Sequence, residues 1–319
     1  MLHASFLILV GFVLLMVGAE YTVRGAVAIA NKLKIPPIII GLTIVAFGTS
    51  APEFVVSIRA ALSGGAGISI GNVVGSNIAN VLLILGAAAM IYPITCERRV
   101  FLKDFTFLLA VNIIFVAFAL TGTFVMWQGI VMLLLLFAFI YYNYRNSINS
   151  GPDEESTSPI AEKNWLFVVG VTVLGLAGII YGADLLVRGA VDIARILGIS
   201  EEIIGLTIIA VGTSLPELAT TVMAAIRHQN GVALGNVVGS NIWNIVFIMG
   251  FTSTVIDVPV PQQFIYYDMW VMLLSTIILL PIMMTKSRIS RIEGTFFVII
   301  YALYLVSQIL ISKGIIIFG

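Results

Sequence analysis

Ten apolar stretches, each long enough to cross a lipid bilayer, constrain this chain more than any other feature. A helix needs about 20 apolar residues to cross a hydrocarbon core of about 30 Å. The stretches lie at residues 3–20, 36–62, 67–92, 104–122, 123–144, 164–182, 201–226, 231–255, 267–285 and 293–312. Because 60% of the residues are hydrophobic and only 10% are charged, the composition excludes a soluble protein. The sequence therefore predicts an all-α integral membrane protein with ten transmembrane helices.

The longest polar segment divides these helices into two sets of five. Residues 145–163 have the composition of a flexible, solvated linker, so we expect a first five-helix repeat at 1–144 and a second at 164–319. Lys and Arg resist translocation, and alternating loops would place twelve of the sixteen on the side of the linker. This bias predicts a multi-pass protein of the plasma membrane with a cytoplasmic linker and both termini outside.

An internal repeat relates the two halves. Three pairs of blocks match: GAEYTVRGAVAIA at 18–30 with GADLLVRGAVDIA at 182–194, GLTIVAFGTSAPE at 41–53 with GLTIIAVGTSLPE at 205–217, and GNVVGSNIAN at 71–80 with GNVVGSNIWN at 235–244. The offset is 164 in every pair (182 − 18, 205 − 41 and 235 − 71), a register that chance similarity between apolar helices would not keep. Since each half holds an odd number of helices, the second must enter the membrane from the opposite face. The pattern predicts inverted repeats and transport by alternating access.

Two carboxylates, Glu53 and Glu217, lie within the predicted second and seventh helices, far from any loop. An ionised acid at that depth costs at least a few kcal/mol unless a cation, a proton or several donors compensate it. Pro52 and Pro216 directly precede these acids, and a proline interrupts the helix and frees backbone carbonyls. A bound ion or a proton is the predicted partner of each glutamate.

Neutral oxygen donors accompany both acids at helical spacing. Hydroxyls precede each glutamate by three and four residues, and a serine and an asparagine in the third and eighth helices are four residues apart. These residues are Thr49, Ser50, Ser76, Asn80, Thr213, Ser214, Ser240 and Asn244. Such hard oxygens suit Ca²⁺, which takes roughly 6–8 of them, and also Na⁺, but not a soft transition metal. Singly these residues would more often serve helix packing, but four such elements beside two buried acids indicate a cation site.

Other polar residues in the apolar stretches have structural interpretations. Asp104 and Asp268 stand at predicted helix starts and are expected to act as caps. Two ion pairs are predicted at a spacing of four residues, Glu20 with Arg24 and Asp184 with Arg188. Four asparagines fit a cavity lining and helix packing equally well, and these are Asn72, Asn77, Asn236 and Asn241.

The GTSAPE, GTSLPE and GNVVGSN motifs resemble those of the prokaryotic sodium/calcium exchangers of the cation/Ca²⁺ antiporter superfamily. The resemblance implies an antiporter, not an enzyme, that exchanges Na⁺ for Ca²⁺ as the first and sixth helices slide across the other eight. It implies that Glu53 and Glu217 are the central ligands, joined by the hydroxyl and amide residues above and by the backbone oxygens of Ala46 and Ala210. Potassium-dependent relatives, and some prokaryotic exchangers, carry Asp where this chain has Asn244; the amide removes a charge, which implies that K⁺ is not co-transported.

Three other functions remain open on the sequence. A Ca²⁺/H⁺ antiporter would use the same two glutamates as proton carriers, and dependence on sodium separates it from a sodium/calcium exchanger. A passive channel would carry flux far above turnover-limited transport. An intramembrane enzyme acting on lipid phosphates would need Arg, His or a nucleophile beside the carboxylates, and the matched blocks offer none there.

Composition also limits the partners. Sixteen acidic and sixteen basic residues balance, which indicates no nucleic-acid partner. One cysteine and two histidines indicate neither a redox nor a zinc cofactor. The expected partners are Ca²⁺, Na⁺ and membrane lipid, with no cofactor and no obligate protein partner.

Overall fold

Almost all of the described chain is helical. The computed structural model of the protein describes residues 2–95, 98–147, 158, 160–197, 210–312 and 315. The helices are α1 (Leu2–Leu33), α2 (Pro37–Thr49), α3 (Ala51–Leu62), α4 (Ala66–Ile91), α5 (Arg98–Ala119), α6 (Met126–Ser147), α7 (Trp165–Ile196), α8 (Ala210–Thr213), α9 (Leu215–Ile226), α10 (Asn230–Val255), α11 (Phe264–Asp268 continuing as Met269–Ile277), α12 (Leu279–Lys286) and α13 (Arg291–Ser312). Short antiparallel strand pairs join β1 (Ile94–Thr95) to β4 (Arg288–Ile289) and β2 (Thr123–Phe124) to β3 (Val258–Pro259).

Eight helices in the described residues are long and apolar enough to cross a membrane, and α2 with α3 adds a ninth if this bent pair is one span. The protein is therefore a multi-pass membrane protein. The predicted span at 201–226 is described only from residue 210 onward, where it contains α8 and α9. The count of ten helices stays a prediction.

The first and sixth predicted spans are too short. Stretches were expected at 3–20 and 164–182, but α1 and α7 each contain 32 residues. Charged residues at the end of each stretch do not end the helix, because they pair along it.

Both predicted ion pairs are confirmed within these helices. The Nε atom of Arg24 lies 2.5 Å from a carboxylate oxygen of Glu20, and that of Arg188 lies 2.9 Å from Asp184. Arg227, at the end of α9, adds a second bond to Glu20 at 2.6 Å. Pairing removes much of the cost of placing these charges on apolar helices.

Glycines let α1 and α7 pack backbone to backbone. They recur every seventh residue, at Gly11, Gly18 and Gly25 in α1 and at Gly175, Gly182 and Gly189 in α7. A Cβ atom built on Gly18 would lie 2.7 Å from the carbonyl oxygen of Gly175, and one built on Gly11 would lie 2.7 Å from that of Gly182. The lower-numbered glycine of α1 meets the higher-numbered glycine of α7, so the helices run antiparallel. We call this contact the glycine seam.

The chain forms two compact units, 1–52 with 143–236 and 53–142 with 237–319. Each unit combines segments from both halves of the sequence. In the first, α1 packs against α7 and α9. In the second, α13 packs against α4, where a Cβ atom built on Gly294 would lie 2.6 Å from the carbonyl oxygen of Gly86.

The prediction that Asp104 and Asp268 cap helices is wrong. Asp268 is buried and accepts hydrogen bonds from the hydroxyl of Tyr304 at 3.0 Å, from Gln308 Nε2 at 2.6 Å and from Gln263 Nε2 at 3.0 Å. It therefore ties α11 to α13. Asp104 is buried inside α5, which begins at Arg98 instead of at the acid itself.

The glycine seam predicts that one methyl group is enough to disturb it. Gly18→Ala should lower stability by about 1–3 kcal/mol, the usual cost of overpacking, because its Cβ atom would meet backbone that cannot rotate away. Gly170→Ala is the matched control on α7, since nothing lies within 4 Å of a Cβ atom there. Thermal unfolding of both variants in detergent checks this, and equal melting temperatures would contradict close backbone packing at Gly18.

Candidate functional site

Both GTS motifs interrupt their helices. Helices α2 and α3 meet at Ser50 with a bend of 46°. Ser50 has φ −82° and ψ 6°, and Ser214, between α8 and α9, has φ −88° and ψ 5°. Pro52 and Pro216 stand at the second position of the following helix, where proline fits a helix start but not a helix interior. The sequence prediction of two proline-broken helices is confirmed.

The breaks place each glutamate in the first turn of a new helix. Glu53 lies in the first turn of α3 and Glu217 in the first turn of α9. Both side chains are buried, at 1% relative exposure. Unpaired N–H groups at a helix start favour a negative charge nearby, so the backbone offsets part of the cost of burying a carboxylate.

In the first unit, four polar side chains surround Glu217. Ser50 Oγ donates to Glu217 Oε1 at 2.9 Å. Asn236 Nδ2 donates to the backbone oxygen of Glu217 at 3.3 Å and to Thr221 Oγ1 at 2.9 Å, while its Oδ1 accepts from Thr49 Oγ1 at 3.2 Å. All five residues are buried. Within the described residues Glu217 Oε2 has no hydrogen-bond partner, so one carboxylate oxygen is left to bind a cation or a proton.

The same motif recurs in the second unit around Glu53. Asn72 Nδ2 donates to the backbone oxygen of Glu53 at 3.0 Å and to Ser57 Oγ at 2.9 Å. These contacts repeat, 164 residues earlier, those that Asn236 makes. Asn72 thus holds α4 against α3.

Sequence reasoning missed Ser57 and Thr221. Each follows its glutamate by four residues and accepts a hydrogen bond from the asparagine described above. The available signal was the 164-residue offset, which relates Ser57 to Thr221 as it relates Glu53 to Glu217. Both residues lie beyond the ends of the matched blocks at residues 53 and 217, where the run of sequence identity between the halves stops.

Helices α4 and α10 change from α-helical to π-helical geometry at their asparagine motifs. The π turns span Asn80–Leu85 in α4 and Trp243–Met249 in α10. Turns of this type often mark functional sites. The change places Asn80 and Asn244 at the start of a widened turn, and an assumption of uniform 3.6-residue periodicity does not foresee it.

Four buried asparagines of the second unit bond to one another, and we call them the asparagine cluster. Asn80 Nδ2 donates to Asn241 Oδ1 at 2.9 Å, and Asn244 Nδ2 donates to Asn77 Oδ1 at 3.1 Å. Asn77 Nδ2 and Asn241 Nδ2 each donate to the other residue's backbone oxygen at 3.4 Å. The Oδ1 atoms of Asn80 and Asn244 have no partner among the described residues. Two buried amide oxygens are thus left as candidate ligands.

The remaining predicted ligands differ in how available they are. Ser240 Oγ is buried without a hydrogen-bond partner among the described residues, and Ser76 and Ser214 are buried. Thr213 is partly exposed, and Ala210 begins α8. The carbonyl of Ala46 accepts from Ser50 N at 3.0 Å and from Thr49 Oγ1 at 3.3 Å, so an ion bound there would have to displace one of these bonds.

Few charged side chains lie in the two clusters of polar residues around Glu217 and Glu53. Among the described residues, no three His, Cys, Asp or Glu side chains come together as a metal site. The Glu217 and Glu53 clusters each hold one carboxylate among neutral hydroxyl and amide oxygens. Such a donor set fits a weakly held hard cation better than a tightly bound transition metal.

These features define a class: a polytopic helical membrane protein that buries carboxylates among neutral oxygens, as ion-transport proteins do. The chain belongs to the sodium/calcium exchanger protein family, whose model matches residues 3–145 and 167–310. This confirms the resemblance found in the motifs.

Relatives align over nearly the whole chain. The chain is 38% identical over 307 residues to "Putative antiporter CaxA" of Alkalimonas amylolytica, covering 92% of this chain and 95% of the relative. It is 36% identical over 345 residues to the sodium/calcium exchanger MaX1 of Methanosarcina acetivorans, covering 96% and 99%. Among solved structures it resembles the sodium-calcium exchanger NCX_Mj soaked with Na⁺ and Sr²⁺, with a TM-score of 0.84, 32% identity and coverage of 96% and 98%.

The Glu217 cluster predicts a structural role for Asn236. Asn236→Ala would remove the donor to the Thr221 hydroxyl and to the Glu217 carbonyl, at about 1–3 kcal/mol for each group that stays unsatisfied, whereas Thr49 keeps the Ala46 carbonyl as an acceptor. The melting temperature in detergent should fall clearly. Thr106→Ala removes an exposed hydroxyl that, within the part of the chain the structure describes, bonds only to the Leu102 carbonyl, and it should change the melting temperature little. Equal melting temperatures for the two variants would show that Asn236 does not hold the cluster.

Proposed function

We propose that the protein is a secondary active antiporter that exchanges Na⁺ for Ca²⁺ across the plasma membrane. One observation carries the proposal: several of the buried oxygens that no described residue bonds lie in the duplicated motifs, and these are Glu217 Oε2, Asn80 Oδ1, Asn244 Oδ1 and Ser240 Oγ. Buried oxygens without donors are costly unless a cation or water satisfies them. Family membership and a relative named as a sodium/calcium exchanger support Na⁺ and Ca²⁺ as those cations.

The proposed ligands are the residues predicted from the sequence. They are Glu53, Glu217, Thr49, Ser50, Thr213, Ser214, Ser76, Ser240, Asn80 and Asn244, with the backbone oxygens of Ala46 and Ala210. Two glutamates give a formal charge of −2, which one Ca²⁺ or several Na⁺ ions balance. Because both cations compete for the same oxygens, binding of one favours release of the other, and this competition is what exchange requires.

We propose that transport does not depend on K⁺, and the contacts of Asn244 support this. Its Nδ2 donates to Asn77 Oδ1 at 3.1 Å. A carboxylate has no N–H group and could not make this bond. The amide at this position is therefore part of the buried network, and it keeps the formal charge of the ligand set at −2.

Alternating access is the proposed mechanism, with two inverted five-helix repeats at 1–144 and 164–319 joined by a cytoplasmic linker at 145–163 and both termini outside. The antiparallel run of α1 and α7 supports the inversion. The glycine seam supports movement of α1 and α7 as one body across the other helices. Labelling of a single cysteine from outside, in a Cys96→Ser background, tests the orientation: Ser156→Cys should stay unlabelled in sealed cells.

Proteoliposomes test the exchange directly. Vesicles loaded with Na⁺ should take up radioactive Ca²⁺, vesicles loaded with choline should not, and a proton ionophore should leave the uptake unchanged. Adding K⁺ on either side should also leave it unchanged. Uptake driven only by a pH gradient would instead establish Ca²⁺/H⁺ antiport, and no uptake under any gradient would refute the proposed function.

Neutralising either glutamate should abolish exchange. Glu53→Gln and Glu217→Gln keep the size of the side chain but remove the charge that holds the cation, so Na⁺-driven uptake should fall at least about 100-fold, as for an interaction of about 3 kcal/mol. Asp104→Asn is the control, because it neutralises a buried acid outside both clusters and should keep substantial uptake. Strong residual flux in both glutamine variants, with normal elution in detergent, would refute this ligand assignment.

A further inference from the structure

We propose that Asn77 and Asn241 are positioning residues that orient the amides of Asn244 and Asn80 so that only carbonyl oxygen is presented to the transported cation. The proposal rests on the proposed function and deepens it. Asparagine is an ambiguous ligand, because a half-turn of its amide replaces an acceptor oxygen with an N–H donor that repels a cation. A site that uses asparagine oxygens therefore needs a device that fixes the amide.

Two backbone carbonyls provide the fixed reference. Asn77 Nδ2 lies 3.4 Å from the backbone oxygen of Asn241, and Asn241 Nδ2 lies 3.4 Å from the backbone oxygen of Asn77. A backbone carbonyl only accepts hydrogen bonds. Each of these two side chains must therefore direct its NH₂ group at its neighbour's backbone, which leaves its Oδ1 atom facing the other way.

The inner amides, those of Asn77 and Asn241, fix the orientation of the outer amides, those of Asn80 and Asn244. Asn241 Oδ1 faces Asn80 at 2.9 Å, and Asn77 Oδ1 faces Asn244 at 3.1 Å. Since each inner amide offers an oxygen there, each outer amide must offer its NH₂ group in return. The Oδ1 atoms of Asn80 and Asn244 then point away from the cluster, and these are two of the buried oxygens without a hydrogen-bond partner among the described residues.

Each outer amide of the asparagine cluster depends on one inner asparagine, which lies on the other helix. Among the described residues the Asn80 amide bonds only to Asn241 and the Asn244 amide only to Asn77. Each inner asparagine should stay anchored to the other's backbone when the other side chain is truncated. All four side chains are buried, so water does not readily replace a lost bond. Removing Asn241 should release Asn80 and leave Asn244 in place.

Double-mutant cycles test this order of dependence. Purified protein would be titrated with Ca²⁺ and with Na⁺ calorimetrically, and the apparent KM for Ca²⁺ measured in proteoliposomes. Asn241→Ala should weaken Ca²⁺ binding about 10–100-fold, the usual loss when a residue that orients a metal ligand is removed. In an Asn80→Ala background the same change should have little further effect. In an Asn244→Ala background it should keep its full effect. Asn77→Ala should have little further effect in an Asn244→Ala background and its full effect in an Asn80→Ala background.

Controls separate positioning from general damage. Asn112→Ala removes another buried asparagine of the same unit, whose Nδ2 donates to the Leu108 carbonyl and to no other described residue, and it should leave ion affinity unchanged. If Asn241→Ala aggregates, Asn241→Ser takes its place in the same cycles, because a small hydroxyl fills part of the space without reaching Asn80.

The outcomes distinguish this inference from the function on which it rests. If the wild type exchanges Na⁺ for Ca²⁺ but Asn241→Ala weakens binding equally in all backgrounds, the side chain acts through packing and the positioning role is refuted. Unchanged affinity in Asn241→Ala would refute it too. If the wild type neither binds Ca²⁺ nor exchanges it for Na⁺, the proposed function fails first and the inference falls with it.

Discussion

The cost of leaving a polar group unsatisfied in an apolar surrounding governs this structure. A carboxylate, hydroxyl or amide in a membrane span is costly without a partner, since lipid supplies none. Asparagine meets that demand best here because it donates and accepts at once. Asn72 and Asn236 join neighbouring helices by bonding to a glutamate backbone and to a hydroxyl. These bonds leave some buried oxygens without a hydrogen-bond partner among the described residues, and several of them lie in the duplicated motifs.

Much of this arrangement could be predicted from the sequence, because the duplicated motifs are polar where lipid tolerates only apolar residues. The helix breaks at Ser50 and Ser214, the buried glutamates and the ion pairs of Glu20 and Asp184 all follow from spacing and from the cost of burial. Helix periodicity tells which residues share a face. It does not tell which atom of an amide points where, because that depends on backbone groups contributed by another helix.

Other features needed three-dimensional contacts. Asp268 was expected at a helix end, yet three donors, two of them on α13, decide its role, and those lie about 40 residues away along the chain. Helices α1 and α7 were predicted too short because an unpaired charged residue indicates the end of a membrane span. Glu20 does not end α1, since it is paired with Arg24 and Arg227. The π turns of α4 and α10 interrupt the regular spacing on which the prediction relied.

The glycine seam has a consequence for how such a chain can change over time. Gly11 meets Gly182 while Gly18 meets Gly175. In the repeat with its offset of 164 residues, Gly11 corresponds to Gly175 and Gly18 corresponds to Gly182. The two faces are therefore copies of one self-complementary surface, as in an isologous dimer interface. A larger residue accepted in one half meets the backbone of the other, so neither copy of the duplicated sequence is free to diverge at these positions. The two halves must evolve together along this line of contact.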